Sequence, residues 1–89
     1  MSGPRWLRFE WDDGNIDHIA RHNYTPEEAE EVFGETPRIR KVAEARYLAY
    51  GPTAEGWMTA VVFERRRGVT RVITAREMTE SERRAYRRR

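Results

Sequence analysis

Sixteen arginines against a single lysine, Lys41, are the residues of this 89-residue sequence best suited to chemistry. A guanidinium stays charged at any working pH, and its planar fork matches two oxygens of a phosphate or carboxylate. A GC-rich or heat-adapted genome would produce the same preference. Arg46, Arg71 and Arg76 fall in alternating segments that read as strands, where a rigid backbone keeps such donors aimed. Each has a plain alternative, a cross-strand pair with Glu44, Glu64 or Glu77 on a solvated face. Strict alternation sets Arg71 and Arg76 on opposite faces, so only one lines a given cleft unless a bulge intervenes. Arg76, at the strand end beside the last helix, is the better placed.

The other chemical groups are few. His18 and His22 stand four apart, a spacing that lets two rings share one metal on a helix, but no Glu at the right place, third His or Cys completes a zinc set. Histidine is also the side chain whose ordinary pKa lies nearest neutrality, which keeps both as acid–base candidates. Glu82 follows Thr79 by three residues, the spacing of a capping box, and Tyr86 lies one turn further along the same helix face. With no Cys there is no thiol nucleophile, and Ser2 and Ser81 are the only serines. Gly-rich phosphate loops and nucleophile elbows are absent. Neither a metal nor a cofactor is expected.

The elements that must hold these groups follow from periodicity. Residues 6–11 alternate as a strand, with Trp6 and Arg8 opposite Leu7, Phe9 and Trp11. Asp12 or Asp13 caps a helix over about 15–22 that Asn23 ends, and Thr25-Pro26-Glu27-Glu28 opens a second helix to about Phe33, closed by Gly34. Strands follow over about 38–43, 45–51, 57–65 and 69–76, the third apolar on both faces and therefore central. A basic helix over about 80–87 comes last. Short turns between consecutive strands predict an antiparallel sheet with an N-terminal helix pair and a short C-terminal helix, an α+β fold in one small domain over residues 1–89.

Charge divides the chain. Residues 10–35 hold nine acids against Arg21, whereas residues 64–89 hold ten arginines against four glutamates. Such a split suggests a surface with two partners or two tasks. No apolar run approaches the roughly 20 residues of a membrane span, nor does a signal-peptide core stand in residues 1–20, and the chain reads as soluble and cytoplasmic.

Several phrases, in order, carry a resemblance: Phe9-Glu10-Trp11-Asp12, His18-Ile19-Ala20-Arg21-His22, Thr25-Pro26-Glu27-Glu28-Ala29, Glu44-Ala45-Arg46 with Gly51, and Arg71-Val72-Ile73-Thr74-Ala75-Arg76 followed by Glu82 and Tyr86. Together they resemble the BrnT family, the toxins of BrnT/BrnA type II toxin–antitoxin pairs, over about residues 9–86. The resemblance implies a RelE-like fold and a metal-independent endoribonuclease. It also implies an antitoxin partner of the BrnA type, with a ribbon-helix-helix part and a heterotetrameric complex, and contact with DNA only through that antitoxin. Asn15, His18 and Trp57 stand where the family often has Lys, Asn and Arg.

RNA cleavage of this kind needs a base for the 2′-hydroxyl proton, cations for the phosphorane and an acid for the leaving 5′-oxygen. Arg76 and Arg46 are the candidate stabilisers. Tyr86, raised by the resemblance, is a candidate proton relay; His22 and Glu82 complete the candidate catalytic set. Arg65, Arg66, Arg67, Arg71, Arg83, Arg84 and Arg87, with Arg88 and Arg89, would hold RNA phosphates without reading sequence. The departures at His18 and Trp57 motivate a second reading, a non-catalytic RNA- or protein-binding module of the same fold. A purely structural interaction module is a third.

Overall fold

Side-chain caps start all three helices among the described residues. In this computed structural model, which describes residues 7–34 and 37–88, the elements run β1 (Arg8–Glu10), α1 (Asp13–Ala20), α2 (Pro26–Glu31), β2 (Arg38–Ala43), β3 (Arg46–Pro52), β4 (Met58–Arg66), β5 (Val69–Glu77) and α3 (Glu80–Arg88). Ser2, Trp6 and Arg89, to which expectations were attached, lie outside the described residues. Asp12, rather than Asp13, caps α1: its carboxylate accepts from the Asn15 backbone N–H, while the Asn15 side-chain oxygen accepts from the Asp12 backbone N–H. The helix therefore begins two residues earlier than expected. Asn23 ends the turn after it at φ 69°, the left-handed conformation that asparagine tolerates. Thr25 and Glu28 form the reciprocal box at α2. That helix stops at Glu31 because the next amides bond three residues back, a tighter 3₁₀ pattern through Gly34.

The five strands order as β1-β5-β4-β3-β2. From β2 to β5 every neighbour is antiparallel, as the short turns require. β1, however, pairs parallel with β5, so the sheet is mixed and the fully antiparallel expectation is corrected. The cause is the connection: α1 and α2 carry the chain from β1 to β2 at the far edge, which leaves β1 without a hairpin partner and lets it join the opposite edge.

A second correction concerns β5. Val62 faces Thr74, but Phe63 faces Val72, so Ile73 is an extra residue on β5. The bulge reverses the alternation. Val72 and Ala75, three apart, both enter one core, while Arg71 lies opposite Glu64 and Arg76 opposite Ala60 on the other face. Arg71 and Arg76 thus share a face of the sheet.

The main core lies under α1 and α2, where Ile19, Ala29, Val32 and Phe33 meet Ala49, Val61, Phe63, Val72 and Ala75. Phe33 stands edge-on to Phe9 and Phe63, with ring centroids 5.3 and 5.1 Å away. Gly51 admits the end of α2, since a Cβ there would meet the Val32 carbonyl oxygen at 3.3 Å. On the opposite face Tyr50, Ala60 and Met78 form a smaller cluster with Leu48, Met58 and Tyr86, and α3 covers it.

Candidate functional site

Arg76 and Glu82 meet where β5 gives way to α3. The Thr79–Glu82 capping box starts the helix: the Thr79 N–H donates to Glu82 Oε1 at 2.8 Å and the Glu82 N–H to Thr79 Oγ1 at 3.1 Å. This fixes the carboxylate directly over the end of β5. Arg76 then closes on it with both prongs, Nη1 to Oε1 at 2.7 Å and Nη2 to Oε2 at 2.9 Å, and gives Nη1 also to the Glu77 carbonyl oxygen. The Tyr50 hydroxyl adds a longer bond to Oε2 at 3.3 Å. The Glu82 side chain is only 19 % exposed. The Arg76 guanidinium, helped by the Thr79 amide, pulls its pKa down to about 2. Arg76 is held above its ordinary value by the same bond. Burial, and then the Glu82 charge, push the Tyr50 hydroxyl up.

Cross-strand register explains why these groups converge. Arg38 lies opposite Tyr50, Tyr50 opposite Ala60, and Ala60 opposite Arg76, a single row across four strands on the α3 face. Ala60 is small enough to leave room above it for the tyrosine and guanidinium. Beside the row opens a pocket of about 230 Å³, lined by Arg38, Ile39, Arg40, Tyr50, Ser81, Glu82, Ala85 and Tyr86. Arg38 donates to the Ala85 carbonyl oxygen at 3.0 Å and so ties β2 to α3. The pocket therefore offers ionised carboxylate, two tyrosine hydroxyls and two further guanidinium groups within one cleft.

Of the residues singled out in the sequence, Arg76, Glu82 and Tyr86 are brought together. Tyr50, Arg38 and Arg40 were not anticipated. The alternation of Leu48 with Tyr50, and of Arg38 with Arg40, placed each pair on one face, but which face α3 would cover was not written there. Arg46 stands on the same face, two rows away: it pairs with Glu64 at 2.7 Å and is 44 % exposed. Its bond holds the Glu64 carboxyl below the usual range. Arg71 continues that row and forks onto Asp12 at 2.8 and 3.3 Å, with Glu10 at 3.6 Å, so it locks the start of α1 to β5. The plain cross-strand alternative thus describes Arg46, and Arg71 serves the α1 cap.

His22 lines a different pocket of about 120 Å³ with Tyr24, Glu28, Trp57 and Glu77. His18 and His22 stack with centroids 6.3 Å apart, and among the described residues no group of three or more His, Asp or Glu is placed to hold a metal. Asn15 is buried, with its amide donating to the Glu10 and Val72 carbonyl oxygens. Trp57 is 52 % exposed. Arg65 lies toward the main-core face, Arg66 and Arg67 at the β4–β5 turn, Arg83 within 3.8 Å of Glu77, and Arg84 and Arg87 on the outer side of α3.

The match that decides the family covers residues 11–82, by a family model described as a ribonuclease toxin, BrnT, of type II toxin–antitoxin system. The chain belongs to the BrnT family. No curated protein matches it. BrnT membership makes the chain a member of a ribonuclease toxin family and implies an RNA substrate and an antitoxin partner. The matched span contains Arg46, Arg71, Arg76 and Glu82 and stops before Tyr86, whose placement beside Glu82 comes from the fold alone. No helix among the described residues is long and apolar enough to cross a membrane.

Proposed function

We propose that this BrnT chain is an endoribonuclease toxin of RelE-like fold that cleaves RNA without metal. The 2′-hydroxyl oxygen attacks the adjacent phosphorus, the bond to the 5′-oxygen breaks, and a 2′,3′-cyclic phosphate and a free 5′-hydroxyl result. The forked Arg76–Glu82 pair, whose carboxylate lines a cleft that Arg38 and Arg40 also line, is the observation that carries the reading. A phosphate that enters the cleft competes with Glu82 for the Arg76 fork, and Arg76 then balances the charge that builds on the phosphorane. Glu82, released from the guanidinium, regains basicity and takes the 2′-hydroxyl proton. Tyr86 gives its proton to the leaving 5′-oxygen. Arg38 and Arg40 hold the neighbouring phosphates, and Arg66, Arg83, Arg84 and Arg87 extend the track. His22 and Arg46 have no part in this scheme.

The same reading gives the chain a BrnA-type antitoxin with a ribbon-helix-helix part. Because such proteins dimerise, a heterotetramer follows, and only the antitoxin touches DNA. Incubation of the purified chain with RNA in EDTA, beside Arg76→Ala, tests the activity. Cleavage by the wild type that falls about 100-fold or more in the variant is expected, and intact RNA with both proteins, free or ribosome-bound, overturns the proposal.

The second reading, a binding module without turnover, draws on the saturation of Glu82, which is already occupied by Arg76, Thr79 and Tyr50. It expects salt-sensitive binding with intact RNA recovered, and turnover lost in Arg76→Ala and Tyr86→Phe would exclude it.

A further inference from the structure

Among the described residues β2 forms the outer edge of the sheet, and every one of its residues is exposed. An unpaired edge is a template for another strand. At the opposite edge β1 offers only three residues. Natural edges are usually guarded by charge, yet β2 also presents Ile39 and Val42 at 47 % and 43 % exposure, two of the three large apolar side chains left in the open among the described residues. Its two sides differ. Ile39, level with Ala49, adjoins an apolar pocket of about 370 Å³ walled by Phe33, Tyr47 and Phe63. Arg38 and Arg40 point to the other side, level with Tyr50 and Leu48, and line the cleft that holds Glu82. The register then slips at Val42, so the regular template spans residues 38–41.

We propose that β2 accepts an extended, acidic segment of a partner protein as an added strand, with aliphatic side chains entering beside Ile39 and carboxylates facing Arg38 and Arg40. Charge selects this occupant over a second copy of the chain: edge-to-edge pairing would set Arg38, Arg40 and Lys41 of one copy beside the same three cations of the other. Strand addition supplies main-chain hydrogen bonds for affinity and the two-sided pattern for choice. It also withdraws Arg38 and Arg40 from any phosphate in the cleft, so the added strand blocks the site without entering it. That the segment belongs to the antitoxin rests on the function proposed above; that the edge accepts such a strand does not.

The test uses the full chain and two labelled synthetic peptides of about eight residues, one alternating Glu with Val, the other with the same residues in two blocks. The alternating peptide is expected to bind about tenfold tighter by fluorescence anisotropy and to slow amide exchange at residues 38–41. Ile39→Asp, and separately Arg40→Glu, should each weaken it about tenfold with unchanged circular dichroism. Equal affinity for both peptides, or protection confined to α3 or β5, would reduce the interaction to charge attraction and overturn the proposal. A concentration-dependent dimer that protects 38–41 without peptide would overturn it in favour of self-pairing. None of these readouts needs RNA. A chain without ribonuclease activity that protects β2 keeps the strand-addition inference, whereas an active ribonuclease without that protection loses this inference alone.

Discussion

Glu82 does three things with one carboxylate: it caps α3, it closes on Arg76 and it accepts from Tyr50. Its folded pKa of about 2 lies below its ordinary 4.5, so its contribution to stability is fully present above pH 4.5 and is lost as pH falls toward 2. Glu82→Gln should therefore lower stability by about 1–2 kcal/mol at neutral pH, a figure discounted for partial exposure. The gap between variant and wild type should close between those two pH values, as urea denaturation at a series of pH values would record. A gap that persists unchanged at pH 2 would mean that the carboxylate's charge is not what stabilises. Arg76 and Glu82 were legible as candidates because a strand end and a capping box leave few alternatives. Tyr50 was not, since a tyrosine two residues beyond Leu48 in a strand reads as core, and its hydroxyl partner lies 32 residues further along the chain.

Among the elements, α3 depends most on its attachments. None of its residues is buried, and a nine-residue helix is marginal alone in water. The cap, the Arg76 fork, the Arg38 bond to Ala85 and the half-buried Tyr86 hold it down. Thr79→Ala should cost about 1 kcal/mol. It should also speed amide exchange over residues 80–88 and depress RNA cleavage in parallel, because the cap positions Glu82. Unchanged exchange there would show that the box does not anchor the helix. The starts of α2 and α3 were readable, as Thr25 and Thr79 each pair with a Glu three positions on, whereas at α1 Asp12 and Asp13 were both open as caps and the helix starts two residues early. The bulge at Ile73 was not, because Val-Thr-Arg-Val-Ile-Thr contains no glycine to mark it and its only sign is the register with β4. The side of the sheet on which β1 would join was equally hidden, since two intervening helices permit either edge.

Across the whole molecule the charge asymmetry of the chain becomes an asymmetry of faces. α1 and α2, which carry six of the nine acids of residues 10–35, cover one side of the sheet, while Arg38, Arg40, Arg46, Arg71 and Arg76 share the other with α3. RNA affinity should accordingly fall about tenfold or more between 50 and 200 mM salt, measured by filter binding on a catalytically silenced variant. A flat dependence would favour the structural module. Antitoxin affinity should drop when Arg83, Arg84 and Arg87 are reversed to Glu and hold when Glu27 is reversed to Arg, by light scattering and titration of the co-purified pair. The opposite result would put the partner on the acidic side. Glu27 is the informative acid, because Glu30 accepts from the Trp11 indole and Glu31 from the Ala54 amide, so reversal at either also disturbs the fold.

The parallel seat of β1 against β5 also has a kinetic meaning. Strands β2 to β5 zip by successive hairpins, each closing a short loop, whereas Phe9 finds Thr70 only after some sixty intervening residues have been ordered. β1 should therefore dock late, after the rate-limiting barrier. Phe9→Ala, which removes the ring set against Phe33, should speed unfolding in a chevron experiment and leave the refolding limb nearly unmoved. Loss of β1 would also free Arg71 from Glu10 and loosen Asp12, the cap of the neighbouring helix. The first opening of the molecule is thus expected at the edge farthest from β2, with the hairpins that carry Arg38, Tyr50 and Arg76 the last to come apart.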